Sequence, residues 1–458
     1  MIKSVELENF KAFKKSGEVD LKKINIFVGP NSSGKSSFIK ALLTLKNTVD
    51  SADTETILNF NEDVGNFKSV VYKKDVRNCI KYKLNFLEND SIKKFTLNDV
   101  IFKIINRMIN KDENDEHDLK YYLVEVNKNS RLFKLKSIEF SVKSYKDDRM
   151  VIDELNINYY NEKNIKIKRD RASYYIYVDS IKIDEANIVV PKKFLFTINE
   201  KKITKKLDIN ELQNIALLEF ALMDVEKQLN EFVSKIKHIE PLRNKFNRVE
   251  YVTSLKANNS VGNRGENTVP TLVGLGKEQS NSKVSKINMW LDKFDLGQNV
   301  GVKNLGNDSY SLFIKNKYTG IECNILDVGV GTSQLLPIVI ESINSDDDSI
   351  LIIEEPESHI HPNAQSKLAE LFVDIVSTQN KKFLIETHSI FLIVQLQILI
   401  AKKVINPDDI CIYYFNQKED GTEVKNMEIS ENGQFKEAWP SGFFDVQMEL
   451  GKMLFSCM

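Results

Sequence analysis

Four short hydrophobic runs near the two ends of the chain predict the strands of a sheet. The first run alternates between apolar and polar positions, as strands do, and the other three are mostly or fully apolar. Fully apolar runs are typical of parallel strands buried on both faces. The runs lie at residues 2–10, 24–28, 350–353 and 383–385. Helical periodicity over residues 36–46 and 364–376 completes the pattern, which predicts an α/β fold.

The middle of the chain has a different pattern. Between residues 70 and 207 the sequence is rich in Lys, Asn, Ile and Tyr, and it alternates repeatedly, as in residues 155–159 and 174–183. This alternation predicts exposed antiparallel strands. Residues 208–236 then read as one long helix, with Asp208 as its N-cap.

We therefore predict three segments. Residues 1–75 and 238–458 form the N-terminal and C-terminal parts of one α/β domain. Residues 76–237 form an inserted lobe, which is β-rich and has a long helix near its end. This lobe either pads the fold or contacts a partner protein or nucleic acid, and the sequence leaves both readings open. A flexible loop is predicted for residues 258–281, which are rich in Gly, Asn and Ser.

Composition restricts the classes of protein that need to be considered. Of the 458 residues, 42% are hydrophobic and 28% are charged, which is ordinary for a soluble globular protein. The net charge of −1 argues against a polyanion binder as a whole, although clustered lysines leave a basic patch open. The four cysteines form no CxxC pair, so we expect no zinc hook and no disulfide framework. No apolar run approaches the ~20 residues of a membrane span, so we expect a cytoplasmic protein with no membrane partner.

The first candidate for chemistry is a glycine-rich loop. Residues 29–36 match GxxxxGK[ST] without a gap, between a predicted strand and a predicted helix. Glycines let successive N–H groups face phosphate oxygens, and the helix N-terminus adds positive charge. The alternative is an ordinary glycine turn, which would not require a strand before it and a helix after it. The predicted contacts to ATP are Gly29, Asn31, Ser32, Ser33, Gly34, Lys35, Ser36 and Ser37.

Acidic residues at the end of the third hydrophobic run predict a hydrolytic site. Glu354 and Glu355 lie where open α/β sheets bind ligands, at the carboxyl end of a strand. We assign Mg²⁺ to Ser36 and Glu354, and we assign to Glu355 the task of orienting and deprotonating the attacking water. The alternative is a solvated acidic turn. With the phosphate loop in the same chain, these residues predict a Mg²⁺-dependent ATPase.

Histidines supply a further candidate. His388 follows the fourth run and could hydrogen-bond the γ-phosphate. Glu355, Lys35 and His388 are therefore the predicted catalytic residues. The alternative for His388 is a structural role, which is more common for a lone histidine. His359 and His361 lie two residues apart without a third ligand nearby. A structural or interface role is therefore favoured over metal binding for this pair.

This arrangement resembles the ABC/SMC/RecF-type ATPases. Residues 7–13 look like the first strand of that superfamily, residues 354–362 look like its Walker B motif and D-loop, and residues 387–389 look like its switch histidine. The resemblance implies an ABC-type ATPase head, a P-loop NTPase, that carries the large inserted lobe. The sequence departs from the superfamily in having Glu354 where an aspartate is usual, and no glutamine stands out as the Q-loop ligand.

Residues 327–334 resemble the divergent signature motif of a bacterial subgroup that is often encoded in phage-defence operons. In the superfamily this segment of one subunit caps the γ-phosphate held by the other, which implies a homodimer or higher homo-oligomer. From the residues alone, a glycine turn that caps a helix through Ser333 remains the alternative. Residues 239–243 and 439–445 also look like this subgroup. The implied signature contacts are Gly329, Gly331, Ser333 and Gln334.

Within the subgroup, the chain resembles the ATPase subunits of Septu-like and PARIS-like systems and the ATPase half of OLD nucleases. That resemblance implies a slow, switch-like ATPase that senses an invader and controls an effector, with DNA or a phage protein as the trigger. The chain leaves no room for a TOPRIM domain, so we expect a separately encoded nuclease of the HNH or TOPRIM type. A RecF/SMC-like DNA-repair ATPase is the alternative, and the ATP-binding subunit of a membrane transporter is a third class.

Overall fold

The computed structural model describes residues 2–61, 64–88, 134–145, 149–183, 188–199, 202, 209–252, 260–277, 281–440 and 453. The strands in chain order are β1 (Ile2–Phe10), β2 (Phe13–Lys15), β3 (Val19–Asp20), β4 (Ile24–Val28), β5 (Ile80–Phe86), β6 (Leu135–Ser144), β7 (Met150–Tyr159), β8 (Asn164–Asp170), β9 (Ser173–Val178), β10 (Ile181–Ile183), β11 (Val189–Lys192), β12 (Leu195–Ile198), β13 (Ile236–Ile239), β14 (Glu250–Tyr251), β15 (Val300–Gly306), β16 (Ser309–Lys315), β17 (Glu322–Asn324), β18 (Ile350–Glu354), β19 (Lys382–Glu386), β20 (Ile410–Lys418) and β21 (Gly421–Asn426). The α-helices are α1 (Lys35–Asp50), α2 (Phe67–Val70), α3 (Ile209–Ser234), α4 (Thr268–Lys277), α5 (Asn281–Lys293), α6 (Val330–Asn344), α7 (Pro362–Thr378) and α8 (Ile390–Ala401), and short 3₁₀ turns cover Tyr72–Lys74, Ile325–Asp327 and Pro407–Asp409.

The chain divides into two compact units. The first unit comprises residues 1–20, 37–234 and 417–423, and the second comprises residues 21–36, 235–416 and 424–458. The three-segment division at residues 75 and 237 stays a prediction. Among the described helices, none combines the length and the apolar character that crossing a bilayer requires.

A six-stranded sheet organises the second unit, and it holds three of the four hydrophobic runs. Its strand order is β13-β18-β19-β4-β20-β21, and the five strands from β13 to β20 are parallel. Every residue of β4 is buried, including Asn25, whose amide nitrogen donates to the carbonyl oxygens of Lys22 and Phe383 at 2.9 Å each. Because this polar side chain is satisfied, it can occupy a strand buried on both faces. The predicted buried strands are therefore confirmed.

Helices and a smaller sheet complete the second unit. The apolar face of α7, which includes Leu368 and Phe372, is buried in the core. In the smaller antiparallel sheet, β14, β15 and β17 each pair with β16. The predicted loop at residues 258–281 is wrong over α4, where Leu272 and Val273 are buried. Its glycines suggested a loop, but burial of its apolar positions stabilises a helix. Residues 258–259 and 278–280 lie outside the described residues.

A nine-stranded antiparallel sheet organises the first unit. Its main path is β10-β9-β8-β7-β6-β5-β1-β2, and β3 pairs with β1. The antiparallel strands predicted at residues 155–159 and 174–183 are confirmed, but the second run is a hairpin, with positive φ at Asp179 and Ser180 in the turn between β9 and β10. Residues 89–133 of the predicted stretch lie outside the described residues. The long helix is confirmed as α3, whereas its predicted N-cap Asp208 lies outside the described residues.

Candidate functional site

The phosphate loop follows β4 in the second unit and ends where α1 begins, at Lys35. Gly29 has a φ of 146° and Gly34 a φ of 107°, and Ser32 between them also has a positive φ of 61°. A Cβ atom at Gly29 would lie 2.3 Å from the backbone oxygen of Phe415, so only glycine fits at this position. Ser33 and Gly34 are buried, whereas Asn31 and Ser32 are exposed. The loop thus has the curled backbone that the motif predicts.

Lys35 is the first residue of α1, and its side chain turns back to the loop. Its Nζ donates to the backbone oxygens of Gly29 at 3.1 Å and Pro30 at 3.0 Å, and lies 3.8 Å from Oε1 of Glu386. Burial lowers the pKa of Lys35, and the charges of Glu386 and Glu355 oppose that shift. The ammonium group is therefore held at the loop by backbone oxygens and nearby carboxylates.

Ser36 leads to a carboxylate that the sequence analysis did not assign. Its hydroxyl donates to Oε1 of Glu386 at 2.9 Å, and Glu386 is 4% exposed. Burial raises the pKa of Glu386 to about 7, and the charge of Glu354 acts in the same direction, whereas Ser36 and Lys35 oppose the shift. The signal was present in the sequence, because Glu386 ends an apolar run in the same way as Glu354.

Glu354 ends β18, and it lies one strand further from the phosphate loop than Glu386 does. It is in register with Glu386 on the neighbouring strand β19, and β19 separates β18 from β4. Oε1 of Glu354 lies 2.7 Å from Nε2 of His238, a residue of β13. The structure thus places Glu386 between Glu354 and the phosphate loop. His238 is a further site residue that the sequence did not indicate, since it depends on which strand pairs with β18.

Glu355 has an unusual backbone conformation. Its φ is 44°, in the left-handed region that costs a residue other than glycine about 1–3 kcal/mol unless the surroundings fix it. The N–H of Glu355 donates to the backbone oxygen of Glu386 at 2.8 Å, and Oε2 accepts from Oγ of Ser358 at 3.1 Å. Burial lowers the pKa of both Lys35 and His388, and the charge of Glu355 opposes that shift at each of them. Its carboxylate therefore lies within electrostatic range of the phosphate loop.

His388 lies at the same edge of the sheet, just after β19. Its backbone N–H donates to Oε1 of Glu357 at 2.5 Å. Burial lowers the pKa of His388, the charge of Lys35 lowers it further, and Glu355 opposes both. These effects favour the neutral imidazole, which can either donate or accept a hydrogen bond.

Residues 327–334, which resemble a signature motif, include the start of α6. Gly329 is the N-cap, without a side-chain cap hydrogen bond, and is exposed. The hydroxyl of Ser333 donates to the backbone oxygen of Val330 at 2.8 Å, so the alternative of a cap through Ser333 is wrong. A Cβ atom at Gly331 would lie 2.9 Å from the backbone oxygen of His359, so the first turn of α6 packs closely against the turn that contains His359. Gln334 is buried at 8% exposure.

His359 and His361 lie just before α7, and His361 has a structural role there. Nδ1 of His361 accepts from the backbone N–H of Asn363 at 3.3 Å and so caps α7, and Pro362 occupies the first helical position. The structural role favoured over metal binding is confirmed for His361. His359 is exposed, with a φ of 64°.

The donor set is compatible with a magnesium–nucleotide complex. Mg²⁺ prefers oxygen ligands, and at nucleotide sites it is held by one or two protein groups together with water and phosphate oxygens. The Ser36 hydroxyl, the Glu386 carboxylate and the Glu354 carboxylate are donors of this kind, next to a loop where no side chain fits at Gly29. Among the described residues, no group of three or more His, Cys, Asp and Glu side chains could hold a metal ion unaided.

Comparison with known proteins places the chain in a family. The family described as AAA ATPase domain matches residues 1–393, and the one described as Protein of unknown function (DUF3696) matches residues 405–450. No curated protein matches the sequence.

Three SMC head structures resemble the chain at low identity. The first, an SMC head bound to the C-winged helix domain of ScpA, is 11% identical over 94% of this chain and 98% of that chain, with a TM-score of 0.42. The SMC head domain from Thermotoga maritima is 9% identical over 93% and 99%, with a TM-score of 0.37. An SMC head with an extended coiled coil, bound to the C-terminal domain of ScpA derived from Pyrococcus furiosus, is 10% identical over 100% and 99%, with a TM-score of 0.40.

The predicted fold class is confirmed. A parallel sheet carries the phosphate loop between β4 and α1, as a P-loop ATPase requires, and the first family match spans most of the 458 residues. The chain is a nucleotide-binding P-loop ATPase, and it belongs to the AAA ATPase domain family.

Proposed function

We propose that this ATPase hydrolyses ATP with Mg²⁺ at the sheet edge where the phosphate loop, Glu386, Glu355 and His388 lie. The observation that carries the proposal is the network of Lys35, Ser36 and Glu386, in which a buried ammonium and a hydroxyl share one carboxylate oxygen. Such a network supplies a cation for phosphate oxygens and oxygen donors for a hard metal ion. The assignment of Mg²⁺ to Ser36 and Glu354, with Glu386 added, belongs to this proposal.

Each of these residues has a separate role in binding or hydrolysis. The loop N–H groups and Lys35 bind the phosphates, and Lys35 exchanges the Gly29 and Pro30 oxygens for phosphate oxygens. Glu355 orients the attacking water and accepts its proton as the water oxygen bonds to the γ-phosphorus and the bridge to the β-phosphate breaks. The neutral ring of His388 donates a hydrogen bond to a γ-phosphate oxygen. Magnesium, when bound, neutralises charge on the phosphate oxygens.

A second copy of the chain completes the site in this proposal. The start of α6 is exposed and has no side-chain cap, since Gly329 is an exposed N-cap and Val330 is 62% exposed. Uncapped N–H groups at a helix N-terminus attract anions. Together with the resemblance of residues 327–334 to a signature motif, this exposure supports a homodimer or higher oligomer in which Gly329, Gly331, Ser333 and Gln334 contact the nucleotide of the partner.

A complementation experiment tests the shared site. Gly329 has a φ of −59°, and a Cβ atom there would meet nothing within 4 Å, so Gly329→Asp should fold, with aspartate as a good N-cap. Its charge would repel a phosphate of the partner. Lys35→Ala and Gly329→Asp should each be inactive alone. An equal mixture should regain about a quarter of wild-type turnover, because half of the random dimers are mixed and each holds one intact site. A mixture as inactive as its components would refute the shared site.

In its biological role, we propose that the protein is a switch-like sensor or scaffold of an anti-phage system that controls a separately encoded nuclease. The resemblance of residues 239–243, 327–334 and 439–445 to a defence-associated subgroup supports this role. The test is purification of Glu355→Gln from its native operon with ATP and Mg²⁺. A second, nuclease-like polypeptide in the ATP-bound assembly is the expected result. Unchanged phage plating after deletion, with no co-purifying partner, would refute the role, and DNA-stimulated ATP hydrolysis would favour the RecF/SMC-like alternative.

A further inference from the structure

Arg243 is a buried cation beside the hydrolytic carboxylates. It follows β13, the strand that pairs with β18, and is 6% exposed. Its Nη2 donates to the backbone oxygens of Glu354 at 2.8 Å and Glu355 at 3.4 Å. Burial lowers the pKa of Arg243 to about 10, and the charges of Glu357, Glu355 and Glu354 oppose that shift. The side chain therefore remains a cation at neutral pH, surrounded by carboxylates.

The two carbonyl groups that Arg243 contacts have a particular relation. The oxygen of Glu354 belongs to the peptide before the Cα of Glu355, and the oxygen of Glu355 belongs to the peptide after it. The φ and ψ angles of Glu355 set the relative orientation of these two peptides. One guanidinium nitrogen that binds both oxygens therefore restricts both angles, at a residue whose φ of 44° is unfavourable by itself.

The remaining donors of Arg243 are unused by the protein. Within the part of the chain that the structure describes, Nε and Nη1 are buried and have no hydrogen-bond partner. A buried donor without a partner costs about 1–3 kcal/mol, so a side chain kept only for packing would be better apolar. Arg243 is also the last residue of segment 239–243, which resembles the defence-associated subgroup and has no role in the proposed steps of hydrolysis.

We propose that Arg243 is a positioning residue for hydrolysis, which holds the backbone of Glu355 in the conformation that directs its carboxylate at the attacking water. Without Arg243, Glu355 would relax toward negative φ and its carboxylate would leave the site. Nucleotide binding would persist, since Lys35 and the phosphate loop are held by other contacts. This inference rests on the proposed role of Glu355.

The experiment compares ATP turnover with ATP affinity in four variants. Arg243→Ala is expected to lower kcat about 100-fold, the loss that a misplacement of about 1 Å can cause. Its affinity for mant-ATP should change less than about threefold, because Arg243 acts through Glu355, whose carboxylate is needed in the transition state and not for nucleotide binding. Methylguanidinium in the assay should restore part of the turnover of Arg243→Ala and none of that of Glu355→Gln. Arg77→Ala, whose side chain is 87% exposed and pairs with Asp75, is the arginine control and should match the wild type.

Arg243→Lys tests the positioning role if Arg243→Ala fails to fold. Lysine keeps the charge but lacks the planar fork, so this variant should bind mant-ATP normally and lose about tenfold or more in kcat. Wild-type turnover in either folded Arg243 variant, or equal losses of turnover and affinity, would overturn the proposal, as would two variants that both fail to fold. Glu355→Gln separates the two ideas. If Glu355→Gln still hydrolyses ATP, the proposed role of Glu355 is refuted. If Glu355→Gln is inactive and Arg243→Ala is active, only the positioning role of Arg243 is refuted.

Discussion

Glu386 offers a quantitative test of the buried carboxylate at the phosphate loop. The pKa of Glu386 is about 7 in the folded protein and 4.5 for an unperturbed glutamate. The native protein therefore holds a proton that the unfolded chain has already released between these pH values. The free energy of unfolding should consequently fall as pH rises from about 4.5 to about 7, and the loss should be complete above pH 7. The difference between the two pKa values corresponds to about 3 kcal/mol.

Glu386→Gln removes this effect without changing the shape of the side chain. The amide oxygen can still accept the hydrogen bond from Ser36, but Lys35 loses the carboxylate that lies 3.8 Å from its Nζ, which offsets part of the gain. We therefore expect the variant to exceed the wild type in stability by about 1–3 kcal/mol at pH 8, and by much less at pH 5.

The assay is urea unfolding of the nucleotide-free protein at pH 5, 6, 7 and 8, with Asp50→Asn as an exposed-carboxylate control. Asp50 ends α1 and pairs with Lys46 at the surface, so its replacement should leave the pH dependence unchanged. A stability difference between Glu386→Gln and wild type that is constant with pH, or that grows toward acid, would refute the reasoning.

Two further comparisons test the backbone of the site. Gly29→Ala would place a Cβ atom 2.3 Å from the backbone oxygen of Phe415 at a φ of 146°, so we expect loss of mant-ATP binding, and retained affinity would contradict the loop geometry. Gly331→Ala would bring a Cβ atom to 2.9 Å from the backbone oxygen of His359, whereas Gly329→Ala enters open space. Thermal unfolding should therefore show Gly331→Ala to be destabilised by about 1–3 kcal/mol relative to Gly329→Ala, and equal stabilities would count against this contact.

The sequence alone indicated the local elements of the site. The bounds of β1 and β4 were predicted to the residue, because apolar alternation and a mostly apolar run are properties of neighbouring positions. The phosphate loop could be read for the same reason, since its glycines, Lys35 and Ser36 are contiguous. The position of Glu354 and Glu355 at the end of a buried strand followed from the run before them.

Pairing between distant segments was beyond the reach of the sequence. Glu386 meets Ser36 only because β19 lies between β18 and β4, and His238 meets Glu354 only because β13 pairs with β18. The contact of Arg243 with the turn at Glu355 depends on the same strand order. The helix α4 likewise formed where glycines suggested a loop, because tertiary burial outweighs local propensity.

Sequence patterns thus predicted several of the strands, the loop that can hold phosphate, and the acidic residues that end one buried strand. Tertiary structure decided which of those acids share a hydroxyl, an ammonium or a guanidinium. The physical reason is that periodicity and turn chemistry act over a few residues, whereas the order of strands in a parallel sheet is set by packing among segments hundreds of residues apart.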